Sequence, residues 1–181
     1  MPDLLRPLFR LILAACAAAL VPLSSASAAA TAKAAAVEKM MWPDLLRPEM
    51  RGRVVYSPPP VDELDLEAGS LADLQPPSLG VRQELDGRTI SIPGFVVPLE
   101  FDAAHRVTRF FLVPYFGACI HFPPPPPEQM IYVVMPKGFA LKSMYDAFTL
   151  TGRIKVGGKR SATTGTANYT LLASAIAPYT P

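Results

Sequence analysis

The chain has 181 residues, with 17 Lys and Arg against 15 Asp and Glu, a formal charge of +2. So balanced a surface carries no electrostatic footprint for nucleic acid. The length suits one compact domain with an extension rather than several domains, and 21 prolines argue against long helices.

The first residues read as an export signal. Arg6 and Arg10 form a basic start, Leu11 to Leu23 is apolar, and Ala26-Ser27-Ala28 or Ala28-Ala29-Ala30 fits a signal-peptidase site. The apolar run is too short to span a bilayer, so the expected product is exported to the periplasm after cleavage near Ala28. A second reading is lipid anchoring at Cys16, because Leu13-Ala14-Ala15-Cys16 fits a lipoprotein site. Only five residues separate Arg10 from Cys16, shorter than an ordinary apolar signal core. Cleavage at residue 28 leaves 153 of the 181 residues and takes away Arg6, Arg10 and Asp3, for a charge of +1. It also leaves Cys119 without a second cysteine in its own chain.

Residues 29–84 read as a tether and proline-rich extension. Residues 29–41 are alanine-rich, and Met41-Trp42-Pro43-Asp44 is the first piece expected to pack onto a domain. The hexapeptide PDLLRP at 2–7 and again at 43–48 is too isolated for a repeat architecture. Residues 57–77 carry an acidic stretch bracketed by Ser57-Pro58-Pro59-Pro60 and Pro76-Pro77, which confines any helix to a few turns.

From residue 85 to 181 the apolar pattern takes a period of two. The first strand carries Ile90 and Ile92, is interrupted at Pro93-Gly94, and resumes from Phe95 to Leu99 as across a bulge. Further strands are expected at Val107 to Tyr115, Met130 to Met135, Phe148 to Val156 and Asn168 to Ile176, with a polar loop from Gly157 to about Thr166. Five short strands without a long helix predict a mainly β domain, a small five-stranded OB-like barrel, with an open sandwich as alternative.

Several stretches resemble a bacterial family catalogued as domain of unknown function 3299. They are Trp42-Pro43-Asp44-Leu45, Leu85-Asp86-Gly87, Ile92 through Leu99, and Phe111 through His121 with the proline run that follows. The resemblance extends from residue 42 to about 179. It implies an exported or lipid-anchored protein with an OB-like barrel, encoded near envelope ABC-type transporters and sometimes under zinc control.

The most specific stretch, Gly117-Ala118-Cys119-Ile120-His121, poses the chemical question. On an extended strand residues two apart share a face, so Cys119 and His121 could both reach one zinc ion. The remaining ligands would come from His105, Asp102, Glu100 or Glu128, or from a second subunit. The competing reading makes Cys119 a small buried hydrophobe and His121 a hydrogen-bonded strand-end residue. Thiol catalysis at Cys119 lacks both an orienting partner and a resolving cysteine. Pro123, Pro124, Pro125, Pro126 and Pro127 form a stiff polyproline segment that holds the strand exit or offers a partner, such as a transporter subunit, a rigid ridge.

Two functions follow as expectations. One is an exported non-enzymatic accessory protein that binds a transition metal, zinc, through Cys119 and His121 beside an envelope ABC-type transporter. The other is a structural or protein-interaction domain whose proline loop docks a partner, with Cys119 and His121 in the core.

Overall fold

The structure is a computed structural model, and it describes residues 36–52, 71–119 and 123–180. The expected export signal, Cys16, residues 57–70 and His121 lie outside the described residues. Six strands follow in chain order: β1 (Glu38–Lys39), β2 (Thr89–Phe101), β3 (Val107–Val113), β4 (Ile131–Phe139), β5 (Ala147–Ser161) and β6 (Gly165–Pro178). β2, β3 and β4 form an antiparallel meander, β4 runs parallel to β6, and β6 pairs antiparallel with β5. β5 then pairs back onto the first half of β2 and closes a five-stranded OB-like barrel, with β1 as an added parallel strand. The mainly β class and the barrel agree with the sequence reading.

The strands differ from it in detail. β2 is unbroken through Pro93-Gly94, and its pairing with β5 stays in register from Thr89 to Phe95. The irregularity falls instead between Pro98 and Phe101. Proline is tolerated at 93 because the N–H and C=O of a strand residue point to the same side. The Pro93 carbonyl points to a gap where no strand pairs, and there the Trp42 indole N–H donates to it at 2.8 Å. The missing proline N–H therefore leaves no ladder partner unmet. Nor is there a long loop after Val156. β5 continues through Gly157 and Gly158 to Ser161, and only residues 162–164 turn the chain into β6.

The barrel interior holds Ile90, Ile92, Val96, Phe110, Leu112, Ile131, Val133, Leu150, Ile154, Tyr169 and Leu171. β3 is buried on both sides. Phe111 and Val113, pointing outward, pack with Val97, Ala118, Cys119 and Met130 in a second cluster on the outside of the sheet. That outer β3–β4 face is where many OB barrels receive extended ligands; here part of it is filled by the protein's own connection between β3 and β4.

The N-terminal extension is less separate than expected. Residues 38–40 are not a loose tether: Glu38 and Lys39 pair with Ile90 and Ser91, and the Met40 amide donates to the Ser91 carbonyl at 2.9 Å. Met40, Trp42 and Leu45 enter the barrel core itself. Tyr169, fully buried, ties the pieces together by accepting from the Arg82 amide at 2.7 Å and donating to the Leu45 carbonyl at 3.0 Å. A division at residue 84/85 therefore cuts through one core, because the extension supplies apolar side chains that close it. All described residues belong to one compact unit, Ala34–Pro181.

Candidate functional site

Cys119 sits six residues beyond the end of β3, and its geometry differs from the extended strand expected. Its φ is 65°, in the left-handed region, two residues after Gly117 at 87°. Only Ala118 makes a bridge-type pairing there. The alternation that would aim residues 119 and 121 at common space does not operate across a left-handed residue, because that conformation turns the chain. The thiol is 8% exposed and lies among Phe111, Val113, Ala118 and Met130. Its Sγ is 3.9 Å from the Met130 thioether sulfur. Burial in these apolar surroundings pushes the thiol pKa from 9.0 up to about 12.

The other candidate ligands are elsewhere or already engaged. Asp102 and His105 lie in the turn between β2 and β3, at the opposite end of β3 from Cys119. Seven strand residues separate the two ends, about 20 Å, far beyond the bond length of one shared ion. Asp102 organises that turn: its Oδ1 accepts from the Ala104 and Arg106 amides at 2.9 Å each. The Arg106 amide, and then its guanidinium, hold the Asp102 carboxyl below its ordinary range. His105 is exposed, with φ 55° at the tip of the same turn. Glu100 pairs with Arg109 on the barrel surface.

Glu128 is fully buried but spoken for. Its carboxylate accepts from Ser78 Oγ at 2.5 Å, the Leu79 amide at 3.0 Å and Asn168 Nδ2 at 2.6 Å. Among the described residues no three His, Cys, Asp or Glu side chains gather in a group able to hold a metal ion.

The five prolines are packed rather than displayed. Pro123 to Pro127 are all buried, which removes the exposed ridge expected of them. A Cβ on Gly165 would lie 2.9 Å from the Pro124 ring, so the proline fits against bare glycine backbone. The Pro125 carbonyl accepts from Gln75 Nε2 at 2.9 Å, and the Pro126 carbonyl accepts from the Gln129 amide at 2.7 Å. The same Gln75 amide pairs with the backbone of Thr166, accepting its N–H at 2.7 Å and donating to its carbonyl at 2.8 Å. Gln75 thus imitates a strand residue. Nothing in sequence spacing marks it, and Ser78 and Asn168 were equally silent, because the partners of these three lie 40 to 91 positions away.

A surface feature not read from the sequence lies at the opposite side of Trp42. Met41, Trp42, Pro93, Phe95, Pro114 and Tyr179 line an open apolar groove of about 210 Å³. Phe116 extends it, edge-on to Phe95 with ring centroids 6.3 Å apart and stacked on Tyr145 at 4.5 Å. The sequence signal was the lone tryptophan; the remaining aromatics come from the middle of β2 and from the segments after β3, β4 and β6, which only the closed barrel brings together.

Comparison with known proteins comes down to one family. Residues 42–178 match the family described as protein of unknown function (DUF3299). The chain is similar to the crystal structure of a DUF3299 family protein from Pseudomonas aeruginosa PAO1, with 36% identity and a TM-score of 0.68. That match covers 81% of this chain and 98% of the other. No curated protein matches the chain.

Proposed function

The chain belongs to the DUF3299 family, and from that premise we propose that it is an exported, non-enzymatic accessory domain of the cell envelope. It works by presenting a rigid barrel to a partner in an envelope transport system, and Cys119 serves the core. The observation that carries this reading is the state of the thiol. Buried among Phe111, Val113, Ala118 and Met130, with its pKa raised to about 12, it is neutral at physiological pH. Nucleophilic attack needs the thiolate, which this burial disfavours.

Two further features favour a scaffold. The proline run is anchored by Gln75 and Gly165, which makes it a brace for the β3–β4 connection. The buried Glu128 has three donors of its own and serves to fix Ser78 and Asn168.

Elemental analysis of the purified protein, beside Cys119→Ser and His121→Ala, tests the reading. The expected result is no stoichiometric zinc or copper in any of the three, with lowered stability for the cysteine variant alone. Stoichiometric metal in the wild type, lost in both variants, overturns it in favour of a Cys119–His121 centre.

A further inference from the structure

Every arginine of the described chain outside β5 has an acidic partner. Arg47, Arg51, Arg82, Arg88, Arg106 and Arg109 each meet a carboxylate within 3.6 Å. β5 departs from that pattern. Arg153, Lys155, Lys159 and Arg160 are all exposed, and none forms an ion pair among the described residues. From residue 147 to residue 181 the sequence holds these four cations and no Asp or Glu.

The backbone beside them is open as well. The ladder between β5 and β2 ends at Arg153. Ile154 still bonds on that side, its amide donating to the Arg88 carbonyl at 2.9 Å and its carbonyl accepting from the Gly87 amide at 2.8 Å. The Val156 amide donates to Asp86 Oδ1 at 2.9 Å. Beyond it, from Gly157 to Ser161, the β5 backbone pairs with β6 alone among the described residues.

We propose that this edge takes an extended acidic segment of a partner protein, laid along β5 with its carboxylates on Lys155, Lys159 and Arg160. The inference rests on the reading of the protein as a domain that presents its barrel to a partner. It adds the surface used and the chemistry of what is bound. The amides and carbonyls of an open edge suit a polypeptide, which can continue the ladder, over a polysaccharide or a nucleic acid, which cannot. Charge then selects among polypeptides. A second copy adding through the same edge would set Lys and Arg against Lys and Arg, and like charges directly opposite repel. A strand rich in Asp and Glu meets the reverse. Cations on an edge thus turn away most strands and admit one kind.

The probe is a fluorescein-labelled octapeptide alternating Glu and Val, titrated against the purified protein with binding read by anisotropy. Saturable binding is expected, and added salt weakens it. Lys159→Ala combined with Arg160→Ala lowers affinity about tenfold, and Lys155→Ala weakens it independently. Lys159→Glu with Arg160→Glu transfers the preference to an octapeptide alternating Lys and Val. Methylating alternate backbone nitrogens of the acidic probe keeps its charge and lowers affinity about tenfold, because it can no longer continue the ladder. These side chains are exposed, so the thermal midpoint of each variant stays at the wild-type value.

Failure of the acidic probe to bind overturns the inference, as does binding that survives the Lys155, Lys159 and Arg160 substitutions. Equal binding of dextran sulfate or oligothymidylate, or indifference to backbone methylation, reduces the edge to a general anion surface and overturns it too. Binding that appears only in a chain carrying Asp62→Asn, Glu63→Gln, Asp65→Asn and Glu67→Gln assigns the edge to the chain's own acidic residues and overturns it equally. Metal bound through Cys119 defeats the underlying functional reading while leaving these titrations untouched, so the two failures are distinguishable.

Discussion

At the scale of single residues, Cys119 shows how the reading of a motif depends on the backbone that carries it. Its neighbours in sequence suggested a ligand pair, because a cysteine and a histidine two apart share a face on a strand. The left-handed φ at Cys119 removes that premise. The glycine two positions earlier was the available sign that the chain turns there. Folding holds the thiol neutral, with its pKa raised from 9.0 to about 12. The unfolded chain ionises near 9, so this stabilisation is complete below pH 9 and is lost as pH rises towards 12. Iodoacetamide alkylation of the native protein is expected to stay slow up to pH 9 and to become fast on denaturation. Rapid labelling of the folded state at pH 8 would contradict the sealed thiol. Cys119→Ser places a hydroxyl in the same apolar cluster and is expected to lower unfolding free energy by about 1–2 kcal/mol in urea titrations. Glu128→Ala strands three donors at once and is expected to cost about 3 kcal/mol by the same measurement.

At the scale of elements, alternation was legible and its exceptions carried more. Ile90 and Ile92, then Leu150 and Ile154, mark their strands by period two, and those strands form where expected. The run Phe110-Phe111-Leu112-Val113 has no alternation at all. It marks a strand covered on both faces, and the outer cover proves to be the Cys119 connection. The glycine pair at 157–158 was misleading for another reason. Glycine there is a packing requirement of a paired strand, since a Cβ on Gly158 would come within 1.8 Å of the Ala167 carbonyl oxygen. Gly158→Ala is therefore expected to destabilise by about 2–3 kcal/mol and to increase amide exchange along Lys159–Ala167, read by hydrogen–deuterium exchange. Gln75→Ala removes four contacts that spacing could not reveal. Limited proteolysis is expected to cut between residues 71 and 82 sooner in that variant, with the barrel strands still protected.

At the scale of the whole molecule, composition and turn chemistry indicated the barrel, whereas the role of the extension depended on contacts too distant to read. Met40, Trp42 and Leu45 complete a core whose other members begin at Leu85. A chain starting at residue 85 is expected to lose its cooperative thermal transition and to bind a hydrophobic dye. A sharp transition near the full-length midpoint would show that the barrel stands alone. Trp42→Ala, in the intact chain, is expected to lower stability by about 3–5 kcal/mol.

The way Met40 and Trp42 meet β2 bears on a hazard of every incomplete sheet. Between the end of β1 and the start of its β3 pairing, β2 offers carbonyls at Ser91 and Pro93 that a foreign strand could adopt as a template. A backbone amide occupies the first and an indole the second. This short N-terminal segment acts as a stopper against polymerisation by strand addition.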